Sequence, residues 1–193
     1  MKGETNQNAL HLIKFIYLTP LLLLPFLSQA QNIYPQNHKK ADSLFYWANA
    51  TLKWMLPPPD TAITIAIQAY TKAIQYDTTH WSAYRNRARL YLQRSEYLKA
   101  INDLTNSLCY APPGHTELHS MLAEAYYHTE DYKAAIIEWA ISIEDLPNVE
   151  SFWIGLAKSY WKLGQRQKAC VYFQKAVAID KRALEDKGFL ECN

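Results

Sequence analysis

Few residues in this chain could do chemistry, and they are poorly grouped. His115 and His119 stand four apart in His115-Thr116-Glu117-Leu118-His119, and His128 follows, a spacing that invites a zinc reading because residues four apart share one helix face. The context argues against it. His115 follows Pro112-Pro113-Gly114 and should precede a helix, Thr116 has the chemistry of an N-cap, and His119 falls at a packing position. The carboxylate pairs Glu130-Asp131 and Glu144-Asp145 fall at expected helix ends, where acids and turn chemistry are ordinary. No Gly-rich phosphate loop, Gly-x-Ser-x-Gly elbow or spaced Cys/His pair occurs. The expectation is a chain that is not an enzyme and takes no metal or cofactor. Hidden enzymatic or metal-binding activity stays as the minor alternative.

The elements that must carry these residues begin after a different kind of segment. Residues 1–30 run from a polar start with Lys2 and Lys14, through the apolar stretch Phe15 to Leu27, to Ser28-Gln29-Ala30. That order is an n-region, an h-region and small residues at the two positions a signal peptidase reads. The apolar stretch is too short to span a bilayer, which needs roughly 20 residues, and it holds Pro20 and Pro25. The expectation is a signal peptide cleaved after Ala30, so that the protein touches a membrane only transiently and then resides where thiols can oxidise. Residues 31–40 read as a flexible lead-in. The whole chain of 193 residues has 20 Lys+Arg against 18 Asp+Glu, a balance that excludes a nucleic-acid footprint. Its aromatic content of 14 Tyr, 6 Trp and 6 Phe calls for a systematic use.

That use is a repeat. Tyr97-x-x-Ala100 recurs 35 residues on as Tyr132-x-x-Ala135, and the small residue returns 34 residues to either side as Ala66 and Ala169. Four residues after each comes a bulky side chain, Tyr70, Leu104, Trp139 or Phe173, and three later a small one, Ala73, Ser107, Ser142 or Ala176. Pro112 and Pro147 follow in two units, Thr78 and Lys181 in the others. Ala88, Ala123 and Ala157 precede the matching alanines by 12 residues, and Tyr91, Tyr126 and Tyr160 follow them by three. Each unit is two helical stretches with small residues where backbones cross and aromatics in the wedge between hairpins.

This pattern resembles the tetratricopeptide repeat, most closely over Trp153-Ile154-Gly155-Leu156-Ala157-Lys158-Ser159-Tyr160 with Gly164, Ala169, Phe173 and Ala176. The resemblance implies an all-α, right-handed α-α superhelix of about four helix-turn-helix units, near 41–80, 81–115, 116–149 and 150–182, plus a C-terminal cap over 183–193. In the first unit, helix A is expected over Ala41–Trp54 with Trp47-Ala48 in the Leu-small position. The longer spacing there, 18 residues from Ala48 to Ala66, fits an extended turn over Met55-Leu56-Pro57-Pro58-Pro59-Asp60, with Asp60 or Thr61 capping helix B. Arg87 stands where the family places Leu, so either its head snorkels to solvent or the helix is shifted by a residue.

At the other end, Lys181–Lys187 can form a last short helix ended by Gly188, with Phe189 and Leu190 folding back. Cys170 and Cys192 lie at similar distances before and after Asp180, so antiparallel packing brings them level; a disulfide and two free thiols are both open, and Cys109 reads as a core residue.

The family usually holds peptides in the groove lined by helix A. Carried over, the contact positions are Arg85, Asn86, Arg89 and Gln93; Glu117, Glu124, Tyr127 and His128; and Lys158, Trp161 and Lys162, with Phe45, Tyr46 and Asn49 in the first unit. Arg85 and Arg89, four apart, could face one carboxylate, and the groove would read cationic, anionic, cationic. The competing reading has Arg89 or Lys158 paired with Glu124 in solvent. Only Asn86 and Asn49 match the family's carboxylate clamp, so that specificity is not carried over. The resulting expectation is a protein-interaction module or adaptor of the cell envelope, in the periplasm or at the surface of a Gram-negative bacterium. It would bind a protein or peptide as a monomer or weak homo-oligomer. A self-assembling structural component is the alternative.

Overall fold

The structure, a computed structural model, describes residues 36–53, 58–185 and 192. The expected signal peptide, residues 31–35 of the lead-in, residues 54–57 of the proline turn, and residues 186–191 and 193 of the cap lie outside the described residues. Among those described there are eight α-helices and no strand: α1 (36–53), α2 (Asp60–Tyr76), α3 (Trp81–Gln93), α4 (Tyr97–Tyr110), α5 (Thr116–His128), α6 (Tyr132–Asp145), α7 (Glu150–Lys162) and α8 (Arg166–Ile179). A short 3-10 helix, Lys181–Glu185, follows. Each helix packs mainly on its chain neighbours, giving four antiparallel hairpins in the right-handed superhelix and a closing segment.

The repeated small residues make this possible. Ala48, Ala66, Ala73, Ala88, Ala100, Ser107, Ala123, Ala135, Ser142, Ala157, Ala169 and Ala176 are all fully buried, which is the condition for close helix crossing. Tyr70, Leu104 and Phe173 fill the spaces beside them. Three-residue turns join α3 to α4, α5 to α6 and α7 to α8, each with one residue in the left-handed region: Ser95, Glu130 and Gly164, at φ 57°, 64° and 75°. Only the last is glycine, the residue that adopts this conformation without steric cost.

Several expectations are corrected in detail. α1 begins at residue 36, so residues 36–40 are helical and not a flexible lead-in. Pro59, not Asp60 or Thr61, is the N-cap of α2; Asp60 opens the helix, and its carboxylate accepts from Arg94 Nε at 3.0 Å. Thr116 is the first residue of α5 and not its cap, and its hydroxyl donates to Asp145 of α6 at 2.8 Å. Cys109 is exposed on α4, not in the core. Trp47 is exposed, and among the described residues no helix precedes the first hairpin to cover that position.

Arg87 follows neither proposed course. Helix α3 keeps its register, with Ala83 and Ala88 buried, and the guanidinium stays inside. It donates two 2.7 Å bonds to the buried carboxylate of Asp103 and one of 2.8 Å to Thr71 Oγ1, joining α3 to α4 and α2. Tyr84 and Tyr91 flank it with ring centroids at 5.8 and 5.9 Å. Burial pushes the Asp103 carboxyl above its ordinary value, and Arg87 offsets this only in part.

At the C-terminal end, Ala183 packs on the cluster of Ala157, Ala169, Phe173 and Ala176, and Cys170 of α8 is joined to Cys192 with a Cα–Cα distance of 5.2 Å.

Candidate peptide-binding groove

The A helices, α3, α5 and α7, touch one another directly, whereas no two B helices pack to that extent. The A helices therefore line the inner curve. The residues just after the crossing alanines, Arg89, Glu124 and Lys158, occupy equivalent repeat positions and form a row along this face with alternating charge. Arg89 and Glu124 are exposed and Lys158 is half-buried.

The proposed site residues fall into two groups. The first is engaged internally. Asn49 Oδ1 accepts from Tyr70 Oη at 2.6 Å and from Asn86 Nδ2 at 2.8 Å, and Asn86 Oδ1 accepts from Arg85 Nε at 3.2 Å. Tyr70 is buried, and burial pushes its phenol up, beyond what the Asn86 hydrogen bond takes back. Arg85 also reaches Glu117 Oε1 at 3.2 Å and lies over the Trp81 ring at 4.9 Å. Glu117 in turn contacts His115 Nδ1 at 3.1 Å, and His115 sits against Trp81. Burial tends to raise the Glu117 carboxyl, but its own backbone N–H, His115 and Arg85 together hold it below the ordinary value. The guanidinium of Arg85 is thus occupied by Glu117, and the expectation that Arg85 and Arg89 face one incoming carboxylate does not describe this arrangement. Phe45 is packed against Tyr70 and His80, while Tyr46 is exposed.

The second group surrounds a cleft of about 390 Å³ between the third and fourth hairpins. Glu124, Tyr127 and His128 of α5 form one wall and Ser151, Ile154 and Lys158 of α7 the other, with Trp139 and Gly155 also lining it. The floor exists because position 155 is glycine. A Cβ there would lie 2.4 Å from Trp139 Cε2, so the absent side chain is the space that the indole occupies. Tyr127 meets His128 and Tyr132 edge to face at 5.7 and 5.5 Å, and His128 stacks on Tyr97 of α4 at 4.5 Å. These ring contacts hold the aromatic wall in place. Trp161 is less open than the groove assignment implies: it is half-buried in the terminal cluster, with the Arg166 guanidinium 3.9 Å above its ring. Gln93 and Lys162 are exposed at the ends of α3 and α7.

Trp139, Ser151, Ile154 and Gly155 of the cleft, and Trp81 beside Arg85, are not among the groove positions expected from the sequence. Trp139 was assigned only as a wedge residue, and Trp81 was not singled out. The available signals were Gly155, at a position held by Asn86 and Met121 in the preceding units, and the four-residue spacing of Trp81 and Arg85. The histidines of the zinc motif are separated: His119 Nδ1 pairs with Glu138 at 2.7 Å, and His115 with Glu117. Among the described residues no three His, Cys, Asp or Glu side chains gather as metal ligands, and no helix is long and apolar enough to cross a membrane.

Residues 151–183, the fourth hairpin, match the family model described as tetratricopeptide repeat. By sequence, no curated protein matches the chain. Among solved structures the chain is similar to one described as the crystal structure of MamA protein, with a TM-score of 0.65, 18% identity, and coverage of 76% of this chain and 76% of that one. A second MamA crystal structure gives 0.60 at 20% identity, covering 69% and 83%. MamA MSR-1 gives 0.65 at 20% identity, covering 74% and 78%. At such identities the likeness establishes the solenoid fold.

Proposed function

From a solenoid of the tetratricopeptide type, we propose that this chain is an adaptor of the cell envelope that holds an extended segment of a partner protein along its concave face. The cleft between the third and fourth hairpins is the observation that carries the reading. It offers an apolar floor at Trp139, an aromatic wall at Tyr127 and a pair of opposite charges, Glu124 and Lys158, at its rim. Such a site suits an aliphatic or aromatic side chain flanked by polar backbone and charge, with Arg89 extending the row toward the second hairpin. The solenoid supports a protein-binding role in general.

Export is part of the proposal and is supported by the order of residue types in 1–30 and by the Cys170–Cys192 disulfide, a feature of oxidising compartments. Fractionation and N-terminal sequencing should find the protein outside the cytoplasm beginning at Gln31. A cytoplasmic chain retaining Met1 would remove the envelope setting.

The binding face is tested by photo-crosslinking in intact cells. A benzoylphenylalanine in place of Tyr127 should capture a defined partner, and the same group in place of Tyr110, on the outer helix α4, should not. Equal capture from both positions would place the partner elsewhere.

A further inference from the structure

The two ends of the solenoid are finished differently. At the C-terminal end Ala183 and Cys192 pack on the last hairpin, and Cys192 is bonded to Cys170 of α8. At the N-terminal end the first hairpin presents a face that is covered in every later unit. The residue before the crossing alanine shows the contrast: Leu122 is 2% exposed, Leu156 5%, and Trp47, their equivalent, 54%. In the second hairpin the same position is Arg87, and what meets it from the preceding unit is helix α2, through Thr71. Among the described residues no helix takes, against the face around Trp47, the place that α2 takes against the second hairpin.

That face forms a cleft of about 400 Å³ lined by Leu44, Trp47, Ile65, Gln68, Ala69 and Lys72. A second cleft continues from it through Leu44 to Lys39, Lys40 and Tyr76. No acidic residue lines either cleft, and among the described residues no carboxylate lies within ion-pair distance of Lys39, Lys40 or Lys72. Lys40 instead lies over the Tyr76 ring at 5.4 Å.

We propose that this N-terminal face is a second docking surface that receives an amphipathic helix with acidic flanks, presented by a partner protein as an added outer helix of the solenoid. The shape follows from continuity with the repeat interface, where the same positions already accept a helix. The charge follows from the three lysines. An isologous contact with a second copy would bring those lysines against their own equivalents, which like-charge repulsion disfavours. The surface is separate from the concave groove, so this inference stands or falls independently of the reading above.

The test uses the full chain and two synthetic peptides. Both are helical, stapled and 14 residues long, the length of the outer helices α4, α6 and α8; both carry Leu and Ala on one face, with flanks of Glu in one and Lys in the other. Fluorescence anisotropy should show binding of the Glu peptide and none of the Lys peptide. Trp47→Ala should abolish binding, and Lys72→Glu combined with Lys39→Glu should weaken it by about tenfold or more, as expected for two lost charge contacts. The lysine variant keeps the test valid if Trp47→Ala lowers the melting temperature. Equal binding of both peptides, or indifference to both variants, would overturn the proposal. A dimer in light scattering that Trp47→Ala dissolves would assign the face to a second copy. Peptide binding that appears only after removal of residues 1–35 would assign it to the chain's own N-terminal segment. Either result would also overturn it.

Discussion

The second and fourth hairpins carry the same helix pair but fill it differently. In the second, the position before the crossing alanine is Arg87, which needs Asp103 and Thr71 to satisfy it; in the fourth, it is Leu156, buried with no polar group to satisfy. The difference spreads outward. Arg85 and Asn86 of the second hairpin are bound to Glu117, Asn49 and each other, whereas the fourth hairpin contributes Ile154, Gly155 and Lys158 to a cleft. Charge on a concave face is thus not by itself a recognition surface. In the N-terminal half Arg85 and Arg87 join one hairpin to the next, and in the C-terminal half Glu124 and Lys158 stand at the rim of a cleft whose aromatic wall is held by ring contacts.

The sharpest way to break this contrast is to remove one partner of the buried pair. Asp103→Ala leaves the Arg87 guanidinium inside without a carboxylate and should cost about 3 to 5 kcal/mol in urea denaturation. Arg87→Leu combined with Asp103→Leu should restore most of that, because two apolar residues of similar size need no partners. If Asp103→Ala behaves like a surface substitution, the second hairpin is not held by charge. Reducing the Cys170–Cys192 bond, which closes a separation of 22 residues, should cost on the order of 3 kcal/mol. The loss should appear as faster amide exchange in α8 and leave α2 unchanged, since a solenoid couples mainly nearest neighbours.

Gly155→Ala should cost about 1 to 3 kcal/mol by displacing the Trp139 indole, and should weaken partner binding as the floor of the cleft moves. The smallest effect is in the pH dependence. Glu117 is held below its ordinary value, so its contribution is complete above the unfolded carboxyl range and is lost as pH falls through the folded value. Asp103 is held above its ordinary value, so its contribution is most favourable below the unfolded range and declines as pH rises through the folded value. Denaturation series between pH 3 and 6 should therefore shift in opposite senses for Glu117→Gln and Asp103→Asn. For the partly exposed Glu117 the change should be less than about 1 kcal/mol.

The architecture was legible because it rests on a period. Ala66, Ala100, Ala135 and Ala169 mark helix crossings wherever they stand, and the bulky residue four positions on follows from helical geometry. Single positions were not legible when their reason lay in another hairpin. Arg87 looked like a departure because Asp103 and Thr71, each 16 residues away, are ordinary surface types when read singly. Asn86 and Arg85 looked like groove residues for the same reason. Trp47 matched a packing position by register, but no preceding unit among the described residues buries it. The cleft was half visible: Glu124, Tyr127, His128 and Lys158 followed from the family's groove, while its floor required knowing that Trp139 lies across Gly155.

The central claim, that the C-terminal half of the concave face binds and the N-terminal half holds the solenoid together, is tested most directly by partner affinity in two double variants. Tyr127→Ala with Lys158→Ala should cost the folded fraction at least tenfold in affinity, whatever the loss of the Tyr127 ring contacts does to the melting temperature. Arg85→Ala with Asn86→Ala should lower the melting temperature and leave the affinity of the folded fraction unchanged. The reverse pattern, with affinity lost at Arg85 and Asn86 and retained at Tyr127 and Lys158, would contradict the account.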